Sequence, residues 1–235
     1  MPLKICTLTG VDEKTGYQKL VQLGQEFPFA EFGILLHLKN AGVKPRYPSM
    51  DYINAVTVRH GRNAVHMRPR LALHICGQHA IKAFIDGTSP DISRLSGLFD
   101  RIQLNLTAAE TNTARLQAAI AARPSQTIIT QHNKANTNLS AMLMPANHAI
   151  LFDESSGNGI SPNAWQPPLS GKSCGYAGGL GPDNITEELP KIDHAAQGQD
   201  YWIDMEGKLR NEEDWFDPHR ARTVLRAVKE FMAPR

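Results

Sequence analysis

The most regular feature of the chain is an alternation of short apolar segments with longer segments of helical periodicity. The apolar segments are five to eight residues long, which is typical of parallel strands that are buried on both faces. The predicted strands are residues 3–9, 29–36, 70–76, 101–106, 126–131, 148–153, 173–177 and 201–206. The predicted helices are residues 13–26, 50–60, 78–85, 92–98, 108–122, 137–144, 185–192 and 216–231. Asp12 and Ser49 are placed to cap the first two helices.

Eight successive strand–helix units predict an α/β fold, a single (β/α)8 barrel that occupies residues 1–235 as one domain. The chain has 235 residues, close to the ~250 that are typical of such barrels. Two loops that follow predicted strands are extended, at residues 37–48 and 154–172. No segment has the composition of a linker between domains.

Charge and composition exclude several classes of partner. The 25 basic and 23 acidic side chains give a net charge of +2 without a basic run, so nucleic acid is not an expected partner. No apolar stretch approaches the ~20 residues that a transmembrane helix needs. The three cysteines have no paired spacing, and the first residues lack a signal-peptide pattern, which together predict a cytoplasmic protein. A monomer and a homodimer are both compatible with the Ala-rich helices.

Candidate chemistry is concentrated where the predicted strands end. In a (β/α)8 barrel the active site is built from the carboxyl ends of the strands and the loops that follow them. Residues two apart on a strand share a face, so Asp204 and Glu206 are expected to point together, as are Gln103 and Asn105. The candidates at strand ends are Cys6, Thr9, Glu31, His74, Cys76, Gln103, Asn105, His132, Asp153, Gly178, Gly179, Asp204 and Glu206.

Several of these residues allow a structural interpretation beside the functional one. Asp153 ends an apolar strand, where a carboxylate is costly unless it is paired or used, and it could cap the next loop instead. Cys6 lies among apolar neighbours and could be an inert core residue. Arg46 lies in a loop, where its side chain is either solvated or binds a carboxylate or phosphate of a ligand. Gly178 and Gly179 form either a plain tight turn or a turn whose backbone approaches an anionic ligand.

Short motifs along the whole chain resemble those of phosphoribosylanthranilate isomerase, a (β/α)8 enzyme of tryptophan biosynthesis. Residues 3–9 (Leu-Lys-Ile-Cys-Thr-Leu-Thr) resemble the family's first strand, Val-Lys-Ile-Cys-Gly-Ile-Thr. Residues 177–185 (Ala-Gly-Gly-Leu-Gly-Pro-Asp-Asn-Ile) resemble its Ser-Gly-Gly-Leu-Asn-Pro-Glu-Asn-Val. Weaker matches are residues 45–49 with Arg-Tyr-Ile-Ser, 102–105 with Val-Gln-Leu-His, 151–153 with Leu-Leu-Asp, 157–159 and Trp165 with the Gly-rich sixth loop, and 201–204 with the entry to the eighth strand.

The resemblance implies an Amadori-type rearrangement of a small sugar-derived substrate. It places the general base on Cys6 and the general acid on Asp153, with the pKa of the thiol lowered and that of the carboxyl raised. Lys4, which has the parity of Cys6 in the same strand, is the cation expected to lower the thiol pKa. The resemblance places the contact with the anthranilate end of the substrate on Arg46. It implies neither a cofactor nor a metal ion.

The chain departs from the family pattern at the phosphate site. The family has Ser-Ser-Gly after its eighth strand, whereas this chain has Met205, Glu206 and Gly207, and a glutamate there repels a phosphate dianion. Ala177 replaces a serine, which removes a hydroxyl donor. The departures predict a divergent isomerase of a sugar-derived or carbonyl substrate, either phosphorylated or unphosphorylated.

Two other classes of function remain open on the sequence. A metal-dependent hydrolase or lyase could draw its ligands from strand ends, although no His-x-His ends the first strand. Its candidate ligands are His74, His132, Asp153, Asp204 and Glu206. A barrel that binds a small molecule without catalysis is the other class.

Overall fold

Eight parallel strands form a closed barrel in the computed structural model, which describes residues 2–141, 144–153 and 159–234. Each strand pairs with the next along the chain, and β8 pairs with β1, so the predicted (β/α)8 fold is confirmed. The strands are β1 (Leu3–Thr9), β2 (Ala30–Leu36), β3 (Arg70–Cys76), β4 (Arg101–Asn105), β5 (Thr127–His132), β6 (His148–Asp153), β7 (Ser173–Ala177) and β8 (Tyr201–Met205).

Helices follow the strands and cover the outside of the barrel. The α-helices are α1 (Tyr17–Glu26), α2 (Met50–Arg62), α3 (Gln78–Asp86), α4 (Pro90–Ser96), α5 (Thr113–Ala121), α6 (Thr137–Ala141), α7 (Ile185–Ala195) and α8 (Pro218–Met232). Short 3-10 helices lie at Val65–Met67, Ala108–Glu110 and Gly207–Leu209. No helix in the described part of the chain is long and apolar enough to cross a bilayer.

The predicted helix caps have different outcomes. The Ser49 side chain accepts a hydrogen bond from Tyr52 N, as an N-cap does, so that prediction is confirmed. The prediction for Asp12 is wrong, because α1 begins four residues later than expected, at Tyr17 after Gly16. The carboxylate of Asp12 is instead fully buried and accepts hydrogen bonds from Phe216 N and the Arg210 side chain.

Most of the apolar core lies between the barrel and its helices. Outward-facing strand residues such as Phe32, Ile34 and Ile203 belong to the same buried cluster as Val224 and Leu225 of α8. This layer buries the outward face of the strands, and a smaller apolar cluster that includes Ile129 and Leu151 is also buried, so the strands read as continuous apolar segments.

The barrel interior below its mouth contains a buried ion pair. Arg101 of β4 lies 2.9 Å from Glu31 of β2, and the Thr7 hydroxyl donates a 2.8 Å hydrogen bond to the same carboxylate. The Arg101 guanidinium also lies over the Trp202 ring, 4.6 Å from its centroid. Gly175 of β7 makes room for that ring, because a Cβ there would lie 2.1 Å from Trp202 Cε2. These groups fill the barrel interior below the carboxyl ends of the strands.

A candidate active site at the carboxyl ends of the strands

A polar pocket of about 120 Å³ opens at the carboxyl ends of the strands. It adjoins a cavity of about 430 Å³ with which it shares Arg46, Asn105, Gln131 and Glu206. The pocket is lined by Thr9, Arg46, His74, Gln103, Asn105, Gln131, Leu151, Asp153, Gly159, Ala177, Gly178, Gly179, Leu180, Asp204, Met205, Glu206, Gly207 and Lys208. Of the thirteen strand-end candidates and Arg46, ten line this pocket, and Cys6, Glu31, Cys76 and His132 do not.

Two buried carboxyl groups lie at one height in this pocket. Asp153 of β6 pairs with Ala177 of β7, and Ala177 pairs with Asp204 of β8. Two strand spacings correspond to a separation of about 9 Å between the Asp153 and Asp204 backbones. The small Ala177 side chain leaves the space between the two carboxyl groups open.

Asp204 is a pocket carboxyl group whose ionisation is strongly perturbed. It is 6% exposed, and burial raises its pKa to about 7. The negative charges of Glu31 and Asp153 act in the same direction. The Thr9 hydroxyl donates a 2.6 Å hydrogen bond to Asp204 Oδ1, which opposes the rise by stabilising the ionised form. Near neutral pH, Asp204 is thus present in both protonation states and can either accept or donate a proton.

Asp153 ends β6 with its side chain in the pocket. It is 6% exposed, and the Gln131 side-chain amide donates a 3.1 Å hydrogen bond to Asp153 Oδ2. Residues 154–158, which follow Asp153, lie outside the described residues. They include Gly157 and Asn158, which belong to the segment that resembles the Gly-rich sixth loop of the family. Trp165, which belongs to the same resemblance, does not line the pocket. Its indole donates to Glu188 of α7 at 2.8 Å and its ring packs against Tyr176.

Cys6 does not reach the pocket, which corrects the placement expected from the sequence. Its strand neighbours Ala30 and Ile203 share its face, and that face belongs to the apolar layer beneath the helices. Thr7, one residue further, pairs with Glu31 and Asp204 and faces the interior instead. Cys6 is fully buried, and burial raises the pKa of its thiol far above the ordinary value.

The cation expected to activate that thiol is also elsewhere. Lys4 Nζ pairs with Asp200 at 3.2 Å, and both side chains are largely exposed. Cys6 packs into the layer between barrel and helices. This position directs its side chain away from the pocket, and burial in the layer raises the pKa of its thiol.

The turn after β7 is held open by two glycines and one asparagine. Gly178 and Gly179 have φ values of +120° and +60°, which favour glycine. A Cβ on Gly179 would lie 2.4 Å from Ser161 N, so the loop before β7 packs directly on this turn. The Asn184 side chain accepts from Gly181 N at 2.9 Å and donates to Gly179 O at 2.9 Å. The backbone of this turn is therefore fixed at the pocket edge.

Arg46 lines the pocket but is already paired with two carboxylates. Its Nε and Nη2 donate to the two oxygens of Asp214 at 3.0 and 2.7 Å. Its Nη1 donates to Glu206 Oε1 at 3.2 Å. Burial raises the pKa of Glu206, and the guanidinium groups of Arg46 and Arg210 oppose that rise. Glu206 is thus paired with the arginine that the sequence suggested as a binding group for a substrate anion.

Amide and imidazole groups form the opposite wall. Gln103 Nε2 donates to Asn105 Oδ1 at 3.0 Å, and Asn105 Nδ2 lies 3.2 Å from Cys76 Sγ. His74 is 2% exposed, and burial lowers its pKa to about 4, so its ring is neutral at physiological pH. This wall presents neutral hydrogen-bonding groups.

Sequence reasoning missed three polar residues of this region: Gln131, Lys208 and Asp214. Gln131 and Lys208 line the pocket. Gln131 lies one residue before His132 at the end of β5, and Lys208 lies in the loop after β8. Both positions are among those where the active site of a barrel is expected. Nothing local in the sequence marks Asp214, because its partner Arg46 is 168 residues away.

Four of the five residues proposed for a metal site line the pocket, and His132 is the exception. His132 packs its ring against Phe152, 5.2 Å between centroids, and does not line the pocket. Within residues 2–141, 144–153 and 159–234, no group of three His, Cys, Asp or Glu side chains is arranged to hold a metal ion.

The fold and the pocket define a (β/α)8 barrel protein with two buried carboxyl groups and a wall of amides at the carboxyl ends of its strands. Among solved structures, the chain is similar to phosphoribosylanthranilate isomerase from Thermus thermophilus, with 16% identity, a TM-score of 0.63, and 97% of this chain and 99% of that chain covered. It is also similar to TrpF from Jonesia denitrificans, with 15% identity, a TM-score of 0.64, and 98% and 99% covered. A Rubisco-like protein from Rhodopseudomonas palustris aligns with a TM-score of 0.52 and 11% identity, covering all of this chain and 66% of that chain.

A further phosphoribosylanthranilate isomerase of this fold has been solved in complex with reduced 1-(o-carboxyphenylamino)-1-deoxyribulose 5-phosphate, and it is 11% identical to this chain with a TM-score of 0.61. No protein-family profile and no curated protein sequence matches the chain. The chain therefore shares the fold of the phosphoribosylanthranilate isomerases, and at these identities the likeness concerns the fold alone.

Proposed function

We propose that this protein is an acid–base isomerase of the aldose–ketose type, acting on a small sugar-derived or carbonyl substrate without a cofactor. The observation that carries the proposal is the pair of buried carboxyl groups, Asp153 and Asp204, at one height across Ala177. The pKa of Asp204, about 7, suits proton transfer to and from carbon at neutral pH.

The proposed reaction moves one proton between neighbouring carbon atoms. Asp204 removes the proton from the carbon next to the carbonyl or imine carbon, while Asp153 donates a proton to the ring or carbonyl oxygen. Asp204 then returns its proton to the former carbonyl or imine carbon of the enol or enediol, while the hydroxyl on the neighbouring carbon gives its proton to Asp153. Both carboxyl groups thus recover their starting states, and the product is an isomer of the substrate. In this scheme Asp204 takes the role of base that the sequence resemblance placed on Cys6.

The pocket walls support a substrate rich in hydroxyl groups. Gln103, Asn105 and Gln131 offer side-chain amides, which can both donate to and accept from hydroxyl groups. The two adjoining cavities, about 120 and 430 Å³, are together in the range of ordinary small-molecule sites. At the other edge lie Lys208 and the backbone of Gly178 and Gly179, so phosphorylated and unphosphorylated compounds are both informative probes.

The test is exchange of carbon-bound hydrogen with solvent. The protein is incubated in D₂O with D-ribose, D-ribose 5-phosphate, D-fructose and D-fructose 6-phosphate, and deuterium at the carbon next to the carbonyl is followed by NMR. A parallel assay follows the loss of phosphoribosylanthranilate fluorescence. We expect exchange or turnover with at least one probe, its loss in Asp204→Asn and Asp153→Asn, and its retention in Cys6→Ala.

Two results would contradict the proposal. Exchange that persists in Asp204→Asn would remove Asp204 from the reaction. The absence of exchange and turnover with every probe, for a folded protein that still binds one of them, would favour a binding role over catalysis.

A further inference from the structure

Three of the five N–H donors of the Arg46 guanidinium are already hydrogen-bonded to carboxylates in the described part of the chain. Asp214 occupies Nε and Nη2 in the parallel two-bond geometry that arginine forms with carboxylates, and Glu206 occupies Nη1. The three side chains are only partly exposed. A site that would otherwise bind a carboxylate is thus already filled by two carboxylates of the chain itself.

The position of Asp214 is fixed by a second arginine. Arg210, whose side chain is 2% exposed, donates through Nε to Asp214 O at 2.8 Å and to Asp214 Oδ1 at 2.9 Å. The same guanidinium pairs with Asp12 at 3.0 Å and donates to Gly10 O at 2.7 Å. Asp214 has a left-handed backbone, with φ of +62°, which these contacts maintain. The carboxylate that occupies Arg46 is therefore prearranged and is not a mobile surface group.

A substrate carboxylate could reach Arg46 only by displacing one of these partners. The displaced Glu206 or Asp214 would keep its negative charge close to the incoming one. Asp204 is near enough to Glu206 to raise its pKa, so a further anion here meets additional repulsion. The arrangement disfavours an anionic ligand in two ways. The carboxylates repel the ligand, and their pairing with Arg46 removes the attraction of the guanidinium for it.

Glu206 has a second carboxylate oxygen that Arg46 does not use. Its Oε1 accepts from Arg46, and Oε2 has no hydrogen-bond donor within the described ranges of the chain. Glu206 lines both the pocket and the adjoining cavity. A ligand that spans the two cavities passes this residue.

We propose that Glu206 and Asp214 determine specificity, so that this end of the pocket rejects a substrate carboxylate and Glu206 accepts a hydrogen bond from a hydroxyl or amino group of the substrate. This proposal adds a substrate preference to the proposed function. It rests on that function only in taking the pocket as the substrate site. It predicts a substrate whose end near the loops after β2 and β8 is neutral or cationic.

The test compares the binding of two small probes that differ in charge, sodium benzoate and benzylamine, by titration calorimetry at constant ionic strength. Three variants are compared with the unaltered chain: Glu206→Gln, the double variant Glu206→Gln with Arg46→Gln, and Glu213→Gln. The last is the matched control, since Glu213 lies in the same loop and pairs with Lys14 at the surface, 71% exposed, without contacting Arg46. Thermal unfolding of each variant checks that it is folded.

We expect the unaltered chain to bind benzylamine more tightly than benzoate, and Glu206→Gln to reverse that order. The gain in benzoate affinity should be up to about fivefold, since one partly exposed charge is removed from beside the guanidinium. The gain should vanish in the double variant and be absent in Glu213→Gln.

Either of two results would overturn the proposal: no gain in benzoate affinity in Glu206→Gln, or a gain that persists without Arg46. Neither measurement uses turnover, so failure of the isomerase assay and failure of this proposal are separate results.

Discussion

The hydroxyl of Thr9 donates a 2.6 Å hydrogen bond to Asp204, and this contact joins β1 to β8 where the barrel closes. It is the interaction that favours the ionised form of Asp204 most strongly, and burial still outweighs it. The carboxyl group consequently has a pKa of about 7 in the folded protein, against about 3.9 in an unfolded chain. This difference links the stability of the barrel to pH.

The first prediction is that Asp204→Asn stabilises the protein at pH 8 and has little effect at pH 4. Between pH 4 and 7 the unfolded chain has released the proton that the folded state retains, so stability falls as pH rises through this window. Three pKa units correspond to an upper limit of about 4 kcal/mol at pH 8. Urea unfolding of both proteins at pH 4, 6 and 8 measures the difference, and a difference that does not change with pH would show that Asp204 has an ordinary pKa.

The second prediction concerns Cys6. Because its side chain lies in the layer between barrel and helices, Cys6→Ala should retain isotope exchange within about twofold. The native thiol should also resist iodoacetamide at pH 8 and react only after unfolding in urea, which mass spectrometry of the labelled peptide detects. Rapid labelling in the folded state, or loss of exchange in Cys6→Ala, would restore Cys6 as a candidate base.

The third prediction tests the buried ion pair in the barrel interior. Glu31→Gln leaves the Arg101 guanidinium, 10% exposed, without its counter-charge, and should lower the free energy of unfolding by about 3–5 kcal/mol. The surface pair of Lys4 with Asp200 is the control, and Asp200→Asn should cost less than about 1 kcal/mol. Both are measured by urea unfolding, and equal costs would mean that burial does not distinguish the two pairs.

The fourth prediction compares two glycines. Gly175→Ala should destabilise the barrel by about 3 kcal/mol, because the new Cβ would lie 2.1 Å from the Trp202 ring. Gly61→Ala in α2 meets no atom within 4 Å and should stabilise the protein by about 0.5–1 kcal/mol. Thermal unfolding of the pair tests this, and the idea fails if Gly175→Ala is tolerated as well as Gly61→Ala.

The repeated pattern of apolar segments is sufficient to predict the barrel. Strands buried on both faces show continuous apolar runs, and eight of them alternate with helical segments, so the fold follows from local periodicity. The rule that barrel sites lie at the carboxyl ends of strands likewise brings Asp153, Asp204 and Glu206 together without any coordinates. Their roles in catalysis and binding remain predictions.

The sequence did not reveal which face of β1 each side chain takes. Cys6 and Thr7 differ by one position, and a shift of one residue exchanges the inner and outer faces of a strand. The pairing of β1 with β2 and β8, which includes an irregularity between Leu3 and Ile5, sets that choice. The resemblance of residues 3–9 to another first strand contains no information about this register.

Local periodicity is enough to predict the class of fold and the end of the barrel at which polar groups lie, because both depend on patterns of a few residues. The closed barrel was needed to show that Arg46 is paired with Asp214 and Glu206, and that Cys6 does not face the pocket. The partners of Arg46 lie 160 and 168 residues away along the chain. Such contacts exist only once the barrel has closed, and no local pattern records them.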